Sequence, residues 1–320
     1  MGVSAPGCAP AAGHQAHPEI APGMTGIPFA KLHGAGNAYI AVDGRGRDLD
    51  LPALARAMTA HHTGVGSDGL VVAQAARVAG AAIRMRVINS DGSEAEMSGN
   101  GVRLFAKYVL DRGLAAVGEE GGLVVETGAG LRTVYPRIEG GVMVSGRVAM
   151  EVPSLRPADL PMATDRTHWV GEALRLPDRE LRVTCLSLGN PHAVHLTEQP
   201  VGEFPLLEIG PQVQGHPLFP RRVNFEVVNV LSRTHLRARV FERGEGETPS
   251  SGTGSTACVV AARVGGLVEP EVAVDLPGGT LHITWAGEDQ PAWLDGPTTQ
   301  ILEAQWPHPE ARQQRGQAPS

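Results

Sequence analysis

The sequence predicts an α+β fold of two pseudo-symmetric domains, each a strand-rich unit around a central helix, with a ligand site in the cleft between them. Three observations carry this expectation. Met97-Ser98-Gly99-Asn100-Gly101 is echoed 153 residues later by Ser250-Ser251-Gly252-Thr253-Gly254, and the flanks repeat at the same offset: residues 83–87 with 236–240, Glu94 with Glu247, Leu114 with Leu267. Each copy reads as strand, acidic loop, Ser-Gly-x-Gly and helix, so the repeated unit is longer than the motif. A chain of 320 residues accommodates two domains of ordinary size. Its 41 glycines, roughly twice the usual ~7% share, mark a backbone that turns often.

Residues 27–32 read as a first strand ending at the tight His33-Gly34-Ala35-Gly36-Asn37, after which Tyr39-Ile40-Ala41-Val42 resumes as a strand. Residues 50–61 have helical spacing, with Leu51, Leu54 and Met58 on one side. A turn at 64–69 precedes the apolar strand Leu70-Val71-Val72-Ala73. Residues 83–88 alternate Ile83, Met85 and Val87 with Arg84 and Arg86, the period of a half-buried strand. The helix expected over 99–112 buries Val102, Phe105, Ala106 and Val109 on one face and stops at Gly113. Residues 123–131 read as a hairpin, echoed at 272–281. The second half adds a strand at 181–188 leading into Gly189-Asn190-Pro191-His192, and a stretch at 223–228.

With a crossover around 146–153, the expected division is an N-terminal domain over 26–148, completed by a returning strand at 296–306, and a C-terminal domain over 149–295. Residues 1–25 are rich in Pro, Ala and Gly and lack the basic start and apolar core of a signal peptide, so they read as a disordered extension. Met24 is an alternative start. The tail over 307–320 reads as disordered too.

Composition removes several classes of function. A net charge of −7 gives no basic patch for nucleic acid. No run approaches the ~20 apolar residues of a membrane span. Cys8, Cys185 and Cys258 have no disulfide or zinc spacing, which fits a reducing cytoplasm. Only Lys31 and Lys107 could carry a pyridoxal Schiff base; one sits in a strand and one mid-helix, so no pyridoxal phosphate, and no other cofactor, is expected. The early Gly-rich loops lack the dinucleotide spacing. His192 and His195 have no Cys/His/Asp cluster beside them, so no metal is expected.

The repeated loop carries the chemistry. A helix N-terminus presents unpaired N–H groups and the positive end of its dipole. Gly99 and Gly252 let a ligand approach the backbone, and the N–H groups that follow suit a carboxylate. Two such ends in one cleft hold one carboxylate between them and leave Ser98 and Ser251 on opposite faces of the adjacent carbon. That geometry fits removing a proton from one face and delivering one to the other, which is stereoinversion. Ser followed by Gly is also an ordinary N-cap, a reading weakened by two copies in register. Glu242 and Arg243 end the second strand either as site residues or as a surface ion pair. Asn190-Pro191-His192 is either part of the site or a tight turn.

These motifs spell a family. Phe29-Ala30-Lys31-Leu32-His33-Gly34-Ala35-Gly36-Asn37, Asn89-Ser90-Asp91-Gly92-Ser93-Glu94, Gly99-Asn100-Gly101-Val102-Arg103, Gly189-Asn190-Pro191-His192, Glu242-Arg243-Gly244, Gly246-Glu247-Thr248 and Gly252-Thr253-Gly254 resemble diaminopimelate epimerase, as do His216-Pro217-Leu218-Phe219-Pro220 and Pro277-Gly278-Gly279. The resemblance runs from about Ile27 to Trp306. It implies the diaminopimelate epimerase-like fold and a pyridoxal-phosphate-independent isomerase interconverting LL- and meso-diaminopimelate for lysine and peptidoglycan precursors. It also implies a cytoplasmic homodimer acting on a small amino acid. By the same resemblance Gly99, Asn100, Gly252 and Thr253 hold the reacting carboxylate. Asn37, Asn89, Asn190, Asn224 and Arg243 read the substrate, and His192 and Glu242 flank the reacting centre.

The departure from the family is that its two catalytic bases are cysteines, whereas this chain has Ser98 and Ser251; Ala38 also replaces the acid after the loop asparagine. An alcohol is a far weaker acid than a thiol of pKa ~8.5, so ionising it costs on the order of 6–7 kcal/mol more. His192 and Glu242 are the candidate general bases that offset this cost; Cys258, two turns into its helix, cannot stand in. Two alternatives stay open at this stage. One is a racemase or dehydratase of a cyclic amino acid, disfavoured by Arg243. The other is a catalytically impaired amino-acid-binding homologue.

Overall fold

The computed structural model describes residues 26–307. The expectations for residues 1–25 and for the tail from 308 onward lie outside the described residues. By its contacts Pro28–Ala304 forms one unit, which contains both halves of the duplicated fold.

The first half runs β1 (Gly26–Gly34), β2 (Asn37–Asp43), α1 (Leu51–Thr59), β3 (Gly69–Gln74), β4 (Ile83–Asn89), β5 (Glu94–Ala95), α2 (Gly99–Asp111), β6 (Leu123–Thr127), β7 (Gly130–Glu139) and β8 (Val142–Ala149). A short 3-10 turn, Pro157–Asp159, and β9 (Glu172–Arg175) lead into the second half. That half runs β10 (Glu180–Ser187), β11 (Pro191–Leu196), α3 (Leu206–Gln214), β12 (Asn224–Ser232), β13 (His235–Glu242), β14 (Gly246–Thr248), α4 (Gly252–Val264), β15 (Glu271–Leu276), β16 (Gly279–Thr284), β17 (Trp293–Pro297) and β18 (Thr299–Pro307).

Strand pairing repeats as faithfully as the sequence. In the first half β1 pairs antiparallel with β2, β2 lies parallel to β3, and β3 is antiparallel to β4. β4 then takes β5 antiparallel and β6 parallel, and β6, β7 and β8 form a meander. In the second half β10 to β17 repeat every one of those relations. The halves join where β8 pairs antiparallel with β17, Val148 opposite Leu294. The result is the predicted strand-rich α+β architecture of two domains with four α-helices among the described residues.

Two local features aim the halves at each other. The β1–β2 hairpin closes with Ala35 (φ 48°) and Gly36 (φ 86°) between the paired Gly34 and Asn37, the two positive φ values a tight right-twisted hairpin requires. A Cβ on Gly36 would lie 2.9 Å from the Cα of Gly278, so this tip of the first half rests on the β15–β16 turn of the second.

The helix expected at 99–112 is present as α2, with Val102, Phe105, Ala106 and Val109 buried as anticipated. Arg103, Leu104, Lys107 and Tyr108 are buried too, so the helix is enclosed on every side. Hydrophobic periodicity marks only the apolar face of such a helix. Its polar face is buried because partners are supplied: Lys107 Nζ donates to Asp111 and to the Met143 carbonyl, each at 2.7 Å. α4 is enclosed likewise, and both helices share one hydrophobic core. In α1 the buried stripe is Leu51, Ala55 and Met58, with Leu54 only half-buried.

Candidate active site

Ser98 and Ser251 occupy equivalent positions to within a few degrees. Each is the N-cap of its central helix, Ser98 at φ −138°, ψ 121° and Ser251 at φ −141°, ψ 126°. Ser98 Oγ accepts from the Gly101 N–H at 3.0 Å, and Ser251 Oγ from the Gly254 N–H at 3.1 Å. The capping hydroxyl therefore satisfies the third N–H of each helix. The first two, those of Gly99 and Asn100 and of Gly252 and Thr253, have no intrahelical carbonyl to bond, and they face outward with the positive end of the helix dipole behind them.

The neighbours of the two hydroxyls differ. Ser98 Oγ accepts a second hydrogen bond, from the Tyr39 hydroxyl at 3.1 Å. Burial pushes the Tyr39 phenol above its ordinary pKa; the Ser98 contact pulls it back in part, and the charges of Asp68, Glu242 and Glu245 push it up further. Ser251 lies instead against the carboxyl group of Glu242. Burial raises that carboxyl above the usual carboxylate range, and the Ser251 hydrogen bond and nearby His192 offset only part of the rise. The Glu242 carboxyl lies near enough to Tyr39 for its charge to raise the phenol, and α2 and α4 pack in one core.

Around Ser98, the Asn37 side chain donates to Asp68 Oδ2 at 2.8 Å and accepts from Asn100 Nδ2 at 2.6 Å. Asp68 also accepts from the Ala38 N–H at 2.7 Å, so one carboxylate holds both the Asn37 side chain and the Ala38 backbone. Asn100 is braced by Arg103, whose Nη2 donates to its Oδ1 at 2.9 Å while Nη1 donates to the Gly99 carbonyl. Burial depresses the Arg103 guanidinium to about 10. Asn89, at the end of β4, turns away to donate to Ser93 Oγ at 2.9 Å.

Around Ser251, His192 is fully buried and touches neither serine. Its Nδ1 lies 2.7 Å from Glu226 Oε1 and its Nε2 lies 3.0 Å from Asn190 Oδ1. Asn190 Nδ2 then donates to Thr253 Oγ1 at 3.3 Å, so a chain Glu226–His192–Asn190–Thr253 runs from the core to the mouth of α4. Glu226 is wholly inaccessible, its Oε2 has no partner among the described residues, and burial pushes its carboxyl up despite the attraction of His192. Asn224 holds backbone: Nδ2 donates to the Pro191 carbonyl and Oδ1 accepts from the Arg243 N–H. The Arg243 guanidinium is exposed, donates to the Arg221 carbonyl at 3.3 Å, and forms no ion pair with any described carboxylate.

Of the two candidate bases named from sequence, the structure thus brings Glu242 to a serine and places His192 in a buried relay. Cys258 is buried within α4 and its thiol is pushed well above its ordinary range, so it takes no part. Tyr39, Asp68 and Glu226 were missed. A signal existed for Tyr39, which lies 153 residues before His192 just as Asn37 lies 153 before Asn190. For Glu226 the signal was a lone acid inside the run Phe225-Glu226-Val227-Val228.

The pattern of the family described as diaminopimelate epimerase matches residues 29–151 and 184–300. The diaminopimelate epimerase of Acetivibrio thermocellus is 40% identical over 278 residues, covering 87% of this chain and 97% of that protein. That of Moorella thermoacetica is 42% identical over 283 residues, covering 87% and 99%. Among solved structures, a hydroxyproline epimerase from Agrobacterium vitis superposes with a TM-score of 0.64 at 17% identity, covering 89% of this chain and 94% of that one. A phenazine biosynthesis protein from Bacillus anthracis gives 0.60 at 18% identity, covering 88% and 99%. At such identities the structures speak for the fold alone. Identity near 40% along nearly the whole length of its relatives, on a duplicated fold with equivalent N-cap serines, places this chain in the diaminopimelate epimerase family.

Proposed function

We propose that the chain is a pyridoxal-phosphate-independent amino-acid isomerase that interconverts LL- and meso-diaminopimelate with Ser98 and Ser251 in place of the usual cysteines. The observation that carries this reading is the pair of equivalent N-cap hydroxyls, one of them seated on a half-buried carboxyl group. The substrate's reacting carboxylate docks on the free N–H groups of Gly99, Asn100, Gly252 and Thr253, where two helix dipoles disperse the charge that builds on it as the α-proton leaves. Asn37 and Asn190 flank it beside the two helix ends, while Asn224 holds the backbone of Pro191 and Arg243, and Asn89 with its Ser93 partner lies further out toward the substrate's distant end. Arg243, an exposed guanidinium without a carboxylate partner among the described residues, takes the distant carboxylate; a cyclic amino acid has no such group to offer.

Glu242 is the general base. As Ser251 Oγ accepts the α-proton, its own proton passes to the Glu242 carboxylate, so no free alkoxide forms on that face. Ser98 delivers a proton to the opposite face, and the configuration inverts. His192 orients Asn190 and so the mouth of α4. Both lysines are occupied elsewhere, Lys107 as above and Lys31 on the Val65 carbonyl at 3.3 Å, which supports chemistry without a Schiff base. On the family's pattern we also read the protein as a cytoplasmic homodimer.

The decisive measurement is α-proton exchange and stereoinversion of LL-diaminopimelate by the purified protein in heavy water. Deuterium incorporation with formation of the meso isomer is expected. Absence of both ends the epimerase reading.

A further inference from the structure

We propose that Tyr39 is a catalytic residue: its phenol is the acid–base partner of Ser98, which relays protons between Tyr39 and the substrate. The proposal rests on the epimerase reading of the site and supplies what that reading lacks on the Ser98 face.

Among the described residues, no carboxylate bonds to the Ser98 hydroxyl. The residue equivalent to Glu242 is Asn89, which is uncharged and bonded to Ser93. The residue equivalent to His192 is Tyr39 itself. Among the described residues, the ionisable group in contact with Ser98 Oγ is therefore the Tyr39 phenol, at 3.1 Å. The ring is held in a built slot. A Cβ on Gly69 would lie 2.7 Å from Tyr39 Cε1 and 3.2 Å from Cδ1, so this glycine of β3 admits the ring, which also lies in van der Waals reach of Gly101 at the start of α2. Because Ser98 Oγ accepts from both Tyr39 and Gly101, its own proton is free to point at the substrate.

In the inverting step the Ser98 O–H bond breaks as its proton goes to the carbanion. The Tyr39 O–H bond breaks as its proton goes to Ser98 Oγ. Ser98 ends as a hydroxyl and Tyr39 as a phenolate, the conjugate base of an acid of ordinary pKa ~10, orders of magnitude stronger than an alcohol. On the opposite face Ser251 gains the α-proton and loses its own to Glu242, so the protein gains one proton and gives up one. Solvent exchange afterwards returns Glu242 to the carboxylate and Tyr39 to the phenol. The charged groups facing Tyr39 are Asp68, Glu242 and Glu245, all carboxylates, which keep the phenol in its acid form. When Glu242 takes up a proton, one of these negative charges disappears and the phenol becomes easier to ionise. Filling the base thereby releases the acid.

The test is Tyr39→Phe, which keeps the ring in its slot. Stereoinversion should fall by about 100-fold or more, the usual range for a lost general acid. Deuterium exchange with retained configuration, driven by Ser251 and Glu242, should fall less than about 10-fold. Ser98→Cys on that background replaces the alcohol with an acid of pKa ~8.5 that needs no partner, and should recover inversion at least about 10-fold. The alkaline decline of the wild-type rate should be absent from Tyr39→Phe. Inversion within about 3-fold of wild type in Tyr39→Phe overturns the proposal. So does equal loss of exchange and inversion with no rescue by Ser98→Cys, since that describes a structural ring. If the wild-type protein itself neither exchanges nor inverts, the epimerase reading fails first and Tyr39 falls with it.

Discussion

Where the first half carries Tyr39, Asn89 and Val71, the second carries His192, Glu242 and Glu226. Tyr39 and Asn89 stand at the 153-residue offset from their counterparts, and Val71 lies two places beyond the strand partner of Tyr39 just as Glu226 lies two beyond that of His192. The frame around them is the same in strand order, in pairing and in the dihedral angles of the N-cap serines. Among the described residues, only the second half has a carboxyl group against its serine; the first has a phenol. In a thiol-based site two like groups can exchange roles, since either sulfur reaches a thiolate near neutral pH. Two alcohols cannot, and the difference between the halves shows the remedy: a carboxylate under one alcohol to receive a proton, a phenol under the other to supply one.

The largest effect should come from making the halves alike at this point. Glu242→Gln gives the second half an amide where the first has Asn89, and removes the proton acceptor from Ser251. Inversion and exchange should both fall by about 10²–10⁴-fold; an exchange rate close to wild type would show that Ser251 works without the carboxylate. The same group sets the acid limb. Glu242 acts in its ionised form and its pKa is raised by burial. The rate should therefore be lost as pH falls through a value above the ordinary carboxylate ~4.3, and that limb should be missing from the Gln variant.

The buried pair of the second half sharpens the comparison through stability. Glu226→Val reproduces Val71 and strands His192 in the core, which should cost about 3–5 kcal/mol in urea unfolding. Adding His192→Phe replaces both polar groups with apolar ones and should recover more than half of that loss, because the penalty belongs to the orphaned partner. No recovery in the double variant would assign the loss to packing instead.

How much of this was legible in the sequence follows from what a one-dimensional repeat preserves. The offset between Ser98 and Ser251 carried the fold, because a duplicated unit keeps register through its strands and its helix cap. It carried the serines and glycines as well, since N-caps are local and need only a few neighbouring residues. The partners were harder. Tyr39 reaches Ser98 across 59 residues of chain, and Asp68 reaches Asn37 across 31. Such contacts are made by strand register, which hydrophobic alternation does not encode. His192 reads from sequence as a candidate base; its pairing with Glu226, invisible until β11 is laid parallel to β12, puts it in contact with a buried carboxyl group and Asn190 rather than with either serine.

The smallest effect tests whether repeated chemistry carries repeated energy. Arg86 and Arg239 are equivalent, and each makes a two-pronged pair with an equivalent glutamate, Glu94 or Glu247, at 2.7–2.9 Å. The first pair is open to water, with Glu94 45% exposed; the second is more enclosed, with Glu247 at 23%. Arg239 also donates from Nη1 to the carbonyls of Val201 and Phe204, both at 2.8 Å, tying the loop before α3 to β13. Arg86→Ala should then cost no more than about 1 kcal/mol in urea unfolding, and less in high salt, as expected of a solvated pair. Arg239→Ala should cost about 2–3 kcal/mol and respond less to salt, because it leaves two carbonyls without their donor. Equal costs would mean that the ion pair, common to both halves, sets the energy. Unequal costs would place it in the backbone contacts, which the second half alone has.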